Sequence, residues 1–345
     1  MRAISTSSRP RRESRRAPRG AAAVAAPTEA LLAASLTQRI DALAAHLPAA
    51  IAGDERGIHQ ARVATRRLRE ILPIVADTRS GRGRRLRRRL KRLTAALGPV
   101  RELDVALSLL NSRAEGGPTP AAMALRAHLT ERRSAAFDAL RDACDAWRAR
   151  RLLRKLAQLV DAEEPSLRRG HGGLPKRERR RLARGVSDRA RELGSAVVAA
   201  GALLIVDRVH AVRIAAKRLR YALELTGELE LARTASLVAR LRTMQDVLGA
   251  LHDLDVLRGE AGRVRVELPP DSIVAKDLEA LAAAIDANIR LLHARYLRGA
   301  RALAALTDRV RDRIAPCLDP SISTWSATPS PRSAARRGRT TRSGR

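Results

Sequence analysis

Imidazole and guanidinium groups spaced three and four residues apart on a helix form one cationic row, an arrangement suited to holding phosphate oxygens through charge-assisted hydrogen bonds. His59, Arg62, Arg66 and Arg69 have that spacing, and His210, Arg213, Lys217 and Arg220 repeat it. With 3.6 residues per turn, Arg66 falls about 20° from His59, Arg62 about 60° and Arg69 about 80° to the same side. Ala61, Ala64, Leu68, Ile71 and Leu72 take the opposite face. The helix is therefore predicted to pack by its back and to present a basic row about 15 Å long, flanked by Arg67 in the first copy and Arg218 in the second. A plain solvated face usually mixes Glu with Lys four apart, which gains about 0.2–0.5 kcal/mol per pair. No acid lies between His59 and Arg69, and Arg, whose planar fork suits bidentate phosphate contact, fills most positions. His59 and His210 head the two rows and are expected to donate to phosphate, a bound anion favouring their charged form.

The elements that must position these rows come from a duplication. Ile58 to Arg69 reappears as Val209 to Arg220 at an offset of 151 residues. The same offset carries Leu97-Gly98 onto Leu248-Gly249 and Leu103-Asp104-Val105 onto Leu254-Asp255-Val256. Each unit reads as about four helices. In the first, a helix over 28–52 precedes the His/Arg helix, and an Arg-rich helix runs over 82–97 with Leu86, Leu90, Leu93 and Leu97 as its core stripe. Gly98-Pro99 is predicted to stop that helix and start the next, and a long helix over 120–162 follows the Gly116-Gly117-Pro118 loop. Lys91 points away from the Leu stripe and Arg242 matches it in the second copy; both fit a solvent face as well as a ligand contact. Strand periodicity is absent, so the expected fold is all-α, with two four-helix units related by a pseudo-twofold axis around a central basic channel.

Composition agrees with packed helices. The chain has 345 residues and is 45% hydrophobic, but it holds one Phe, two Trp and two Tyr, so Ala, Leu and Val must fill the core. Sixty-eight Lys and Arg against 36 Asp and Glu leave a formal charge of +32, which calls for a polyanionic partner. Residues 1–26, with seven Arg and one Glu, and residues 321–345, with six Arg and no acid, read as disordered basic tails. They account for little more than a third of the excess charge. The body, 27–320, divides at a Gly- and Pro-rich linker over 164–175 into units 27–163 and 176–320. Cys144 and Cys317 form neither a disulfide framework nor a metal pattern, which fits a reducing, cytoplasmic setting, and no apolar run is long enough to span a membrane.

The doubled pattern His-x-x-Arg-[Val/Ile]-x-x-[Arg/Lys]-Arg-Leu-Arg resembles the CHAD family, the conserved histidine α-helical domain, over about residues 28–315. A second signature of that family, Leu-Gly-x-x-Arg-Asp-x-Asp-Val, is matched by Leu97 to Val105 and by Leu248 to Val256, the latter departing from it at His252. The resemblance implies two helical bundles around a basic channel that binds inorganic polyphosphate, often at polyphosphate granules. It carries His59, Arg62, Arg66, Arg69, His210, Arg213, Lys217 and Arg220 over as ligand contacts, with Arg67, Arg218, Lys91, Arg242 and Arg101 beside them. Relatives often carry a CYTH triphosphatase domain marked by Glu-x-Glu-x-Lys; that motif does not occur, so the likeness is to the stand-alone form.

No cofactor is expected, and imidazoles ringed by Arg make a poor metal site. Phosphoryl transfer would need carboxylates to hold Mg²⁺, whereas the repeated acids near the rows, Glu102, Asp104, Asp253 and Asp255, read more simply as partners that orient arginines. The expectation is a binding protein and not an enzyme. Nonspecific nucleic-acid binding through tails and body is the rival; the tails suit it, while the scarcity of aromatic stacking platforms argues against it in the body. Protein partners and oligomeric state are not readable from the residues.

Overall fold

The computed structural model describes residues 28–76, 81–113, 117, 119–168 and 174–321, and every regular element among them is helical. The first half of the chain forms α1 (Thr28–Ile51), α2 (Glu55–Val75), α3 (Gly81–Ser112), α4 (Pro120–Ala143) and α5 (Ala146–Arg168). The second half forms α6 (Lys176–Ala200), α7 (Val206–Glu228), α8 (Ala235–Val266) and α9 (Ile273–Arg309), then a π-helical turn at Val310–Ile314 and the short α10 (Ala315–Leu318). Side-chain caps start several of them: Asp54 accepts from the Gly57 N–H at α2, Thr119 from Ala122 at α4 and Ser272 from Ala275 at α9. The expected tails, most of the Gly116-Gly117-Pro118 loop and residues 169–173 of the expected linker lie outside the described residues.

The repeat offset of 151 holds to within a few residues at the start of α2 against α7, α3 against α8 and α4 against α9. Within the halves, α1 packs on α2, α2 on α3, α6 on α7 and α7 on α8. Equivalent helices also meet between the halves, α2 against α7 and α3 against α8, while α4 contacts both α8 and α9. One aliphatic core results. The predicted backs of the His/Arg helices are in it: Ala61, Ala64, Leu68, Ile71 and Leu72 of α2 are buried, as are Val212, Ala216 and Leu219 of α7.

Three boundaries differ from expectation. Gly98-Pro99 does not end a helix; α3 runs through both to Ser112. Leu86, Leu90, Leu93 and Leu97 before Pro99, and Val100, Leu103 and Leu110 after it, form one buried stripe. Burial on both sides offsets the backbone hydrogen bond that proline cannot make. The long helix over 120–162 is instead broken at Cys144-Asp145, where the Asp145 carboxylate accepts from the Arg148 N–H at 2.7 Å and caps α5. The linker expected from 164 begins later, because α5 stays helical through Arg168.

Glu260 of α8 ties the halves together. Its carboxylate, 6% exposed, receives His128 and Arg132 of α4, each at 3.0 Å, and Arg263 of its own helix at 2.6 Å. Removing the acid leaves the partly buried His128 without its acceptor, so Glu260→Ala is expected to cost about 2 kcal/mol of stability. Urea unfolding of the two chains checks this, and an unchanged midpoint would show that the tie is dispensable.

Candidate anion-binding site

The α2–α7 contact turns the two basic rows toward one another. Arg62 lies in the field of Arg66 on its own helix and of Arg213 on α7, and Lys217 in the fields of Arg213, Arg66 and Arg62. Glu102 of α3 and Asp253 of α8 are the acids that act on these cations. Arg62, Arg66, Arg213 and Lys217 therefore form one cluster drawn from both copies, all four partly buried.

Arg62 is placed by a close approach to α3. Its Nη1 donates to the Thr94 carbonyl at 3.4 Å and its Nη2 to Glu102 at 3.5 Å, both long for charge-assisted bonds. A Cβ at position 98 would stand 2.7 Å from Nη1, so glycine is what lets the guanidinium lie against the helix. The second copy is different. No atom stands within 4 Å of a Cβ built on Gly249, and the Nε of Arg213 is buried without a hydrogen-bond partner. One arginine is loosely tethered, and its duplicate is left facing the cluster with an unused donor.

Burial, and after it the crowding of like charge, depresses the basic groups. Burial, and then the positive charges of Arg213, Arg66 and Arg62, pull Lys217 down to about 7. Burial and Arg66 lower Arg62 to about 10, and burial and Arg213 lower His252 to about 3. His59 and His210 are also held below their ordinary value by burial and by neighbouring arginines, so the site without an anion favours their neutral forms. His210 and His252 form a pair, Nδ1 to Nδ1 at 3.1 Å, which as neutral imidazoles lets one ring donate and the other accept. The expected protonation of His59 and His210 thus requires an added negative charge.

The other predicted residues divide into engaged and free. Arg220 and Arg242 share the carboxylate of Glu224, at 2.9 and 2.8 Å, and Arg218 pairs with Glu192. Arg101 of α3 pairs with Glu55 at the head of α2, at 2.7 Å. Arg69 makes no ion pair among the described residues; burial lowers its pKa, the neighbouring Glu70, itself paired with Arg189, acts the other way, and Arg218, Arg87 and Arg66 lower it further. Arg67 and Lys91 are exposed; Arg67 borders a cavity shared with Glu224 and Glu228, and Lys91 lies one helical turn from Arg87 on α3.

Two members of the site escape a reading of the rows. Arg87 has no match in the second copy and looks like surface charge, yet it acts on Arg69. His252 occupies the position equivalent to Arg101, and that departure from the repeated motif was the available signal. Among the described residues no three His, Cys, Asp or Glu side chains gather as a metal site would need, and no helix is long and apolar enough to cross a membrane.

Comparison with known proteins follows the same lines. The profile of the CHAD domain matches residues 34–262. The CHAD domain from the plant Ricinus communis is 24% identical and superposes with a TM-score of 0.56, covering 83% of this chain and 93% of that one. PptA from Streptomyces chartreusis is 20% identical with a TM-score of 0.53, covering 82% of this chain and 100% of that one. No curated protein matches the sequence.

Lys217 gives the cluster a pH signature in the free protein. Its folded value of about 7 lies well below the roughly 10.4 of an unfolded chain. Between those values the unfolded state holds more protons, so stability should rise with pH across that window as the cost of a buried charge and its repulsion by neighbouring arginines disappears. Lys217→Met is expected to flatten the rise. Thermal unfolding of both chains from pH 7 to 10 measures it, and a constant difference between them contradicts the assignment.

Proposed function

The chain belongs to the CHAD-domain family, and we propose that it binds inorganic polyphosphate along the converged rows of α2 and α7 and catalyses no reaction. One observation carries this reading: Arg62, Arg66, Arg213 and Lys217 are brought together out of full contact with water, with Glu102 and Asp253 as their nearby acids. Such a cluster opposes its own assembly until a polyanion supplies the missing negative charge. A chain of phosphates suits it because each residue can address a separate phosphate, Arg69, His59 and His210 extending the track at its ends.

The two rows lie about a pseudo-twofold axis in this reading, so a linear and nearly symmetric ligand such as polyphosphate can run in either direction. Arg220, Arg242, Arg218 and Arg101 already have carboxylate partners and would serve as a rim that exchanges those partners for phosphate. Glu102 and Asp253 position cations and hold no metal in this scheme, which leaves phosphoanhydride cleavage without its usual electrophile. Location at polyphosphate granules would follow from binding alone.

Changing Arg62, Arg66, Arg213 and Lys217 together to Ala should weaken polyphosphate binding at least a hundredfold while preserving helicity. It should also lower the slope of log K against log salt by about 3, as about four phosphate contacts are lost. Calorimetry at several salt concentrations measures both, and unchanged affinity places the ligand elsewhere. Because a bound anion returns protons to Lys217, His59 and His210, affinity of the intact protein should fall as pH rises from about 7 toward 9. Competition with duplex DNA decides the nucleic-acid alternative: polyphosphate should displace DNA, and the opposite order favours DNA. Orthophosphate release from polyphosphate by the purified protein with Mg²⁺ would overturn the non-catalytic reading.

A further inference from the structure

A second cationic surface lies on the far side of α3. Arg82, Arg85, Arg89 and Arg92 recur at steps of three, four and three, so they share a face about 15 Å long. That face is turned away from the stripe of Arg87, Lys91 and Gly98 that looks toward α2, and it opens toward α5. Arg89, Arg151, Arg85 and Arg82 together bear on Lys155 of α5 and lower its pKa, which places the two helices' charges in one groove. Among the described residues none of the four arginines on this α3 face makes an ion pair, and neither does Arg151 or Lys155. Asp145, at the break between α4 and α5, is committed to Arg148, accepting from its backbone N–H at 2.7 Å and pairing with its guanidinium at 3.7 Å.

The groove differs from an ordinary solvated face at one end. There α3, α4 and α5 enclose a cavity of about 750 Å³ with Leu93, Ala96, Cys144 and Leu152 among its lining and Trp147 at its side. Trp147 is 60% exposed, although indole is among the side chains most favoured by burial. The Arg151 guanidinium lies over one face of the ring, 5.1 Å from its centroid, a cation–π contact that leaves a flat ligand only the opposite face. An exposed aromatic plane beside a cavity of mixed apolar and arginine lining, leading into a track of cations without ion-pair partners, is complementary to a ligand with a flat head and an anionic tail.

The ladder is duplicated only in part: Arg233 and Arg240 match Arg82 and Arg89, while Ser236 and Thr243 stand where Arg85 and Arg92 would be, and the aromatic end has no counterpart. The equivalents of Trp147, Arg151 and Lys155 at the repeat offset are Arg298, Ala302 and Leu306, and α9 runs unbroken past the position matching Cys144-Asp145. The helix break that creates the cavity belongs to the first half alone, so the groove is separate from the paired site between α2 and α7.

We infer that the α3–α5 groove is a nucleotide site, in which Trp147 stacks on the base of a nucleoside polyphosphate and the arginine ladder of α3, with Arg151 and Lys155, receives its phosphates. A single aromatic plane suits one base, whereas binding along a nucleic-acid strand draws on aromatic groups repeated along a groove. The ladder runs about 15 Å from Arg92, at the cavity, to Arg82, ample for a chain of three phosphates.

The test uses the full chain carrying Trp325→Phe, which leaves Trp147 as the sole indole. ATP and inorganic tripolyphosphate are titrated at constant ionic strength while Trp147 fluorescence is followed. ATP is expected to quench it saturably with an apparent Kd at least tenfold below that of tripolyphosphate. Arg89→Ala combined with Lys155→Ala should raise the ATP value about tenfold while keeping the reporter. Trp147→Leu, followed by calorimetry with helicity checked by circular dichroism, should abolish the preference for ATP and leave long-chain polyphosphate affinity within twofold. The Arg62, Arg66, Arg213 and Lys217 variant should bind ATP normally, so loss of the polyphosphate reading and loss of this one are told apart. Equal responses to ATP and tripolyphosphate reduce the groove to a general anion surface and overturn the inference. Absence of saturable quenching overturns it too, as does a single-stranded 12-mer binding more than tenfold tighter than ATP, which would indicate a strand site.

Discussion

Four cations held together with too few acids repel one another, and the architecture keeps Arg62, Arg66, Arg213 and Lys217 in that state. Their assembly is opposed by Coulomb repulsion and by lost hydration, so it must be imposed by something stronger. The aliphatic backs of α2 and α7 supply that force. Ile58, Ala61, Leu68, Ile71 and Leu72 on one helix and Val209, Val212, Ala216 and Leu219 on the other are sealed into a common core. Each buried Leu or Ile contributes on the order of 1.5–3 kcal/mol, enough in sum to hold the opposite faces in mutual repulsion. The depressed pKa of Lys217 is the visible sign of that imposed state.

The two copies of the unit no longer do identical work. Arg62 lies over Gly98 and reaches Glu102, while Arg213 keeps a buried, unpartnered Nε and Gly249 borders open space. Arg69 makes no ion pair among the described residues, its neighbour Glu70 being taken by Arg189, but its duplicate Arg220 is held by Glu224, four residues further along α7 where α2 carries Pro73. Arg101 has become His252, which turns its ring to His210. In the first two pairs one copy is left without a carboxylate at ion-pair distance or with an unused donor while the other is braced, whereas Arg101 and His252 are both engaged.

Departure from symmetry also explains the α3–α5 groove. The long helix of the second half is matched in the first by α4 and α5, and the break at Cys144-Asp145 brings Trp147 out beside the basic face of α3. Divergence at a helix break costs little where the buried stripes on either side, Leu125, Leu129 and Leu140 before it and Leu152, Leu156 and Leu159 after it, still reach the core.

Periodicity and repetition were legible from the residues because they are local. The spacing of leucines against arginines on α2, α3 and α7 sets helix type and inward face, and the offset of 151 betrays the duplication with no knowledge of contacts. Helix ends were less legible, since Pro99 breaks a helix only when neighbouring burial does not outweigh its missing hydrogen bond. Whether a given cation is free was not legible at all. Arg242 finds Glu224 from another helix, Arg218 finds Glu192, and Arg62 needs a glycine 36 positions away to lie flat. Charge is written along the chain, but neutralisation depends on distances of a few ångströms between helices, and those exist only after the core has closed.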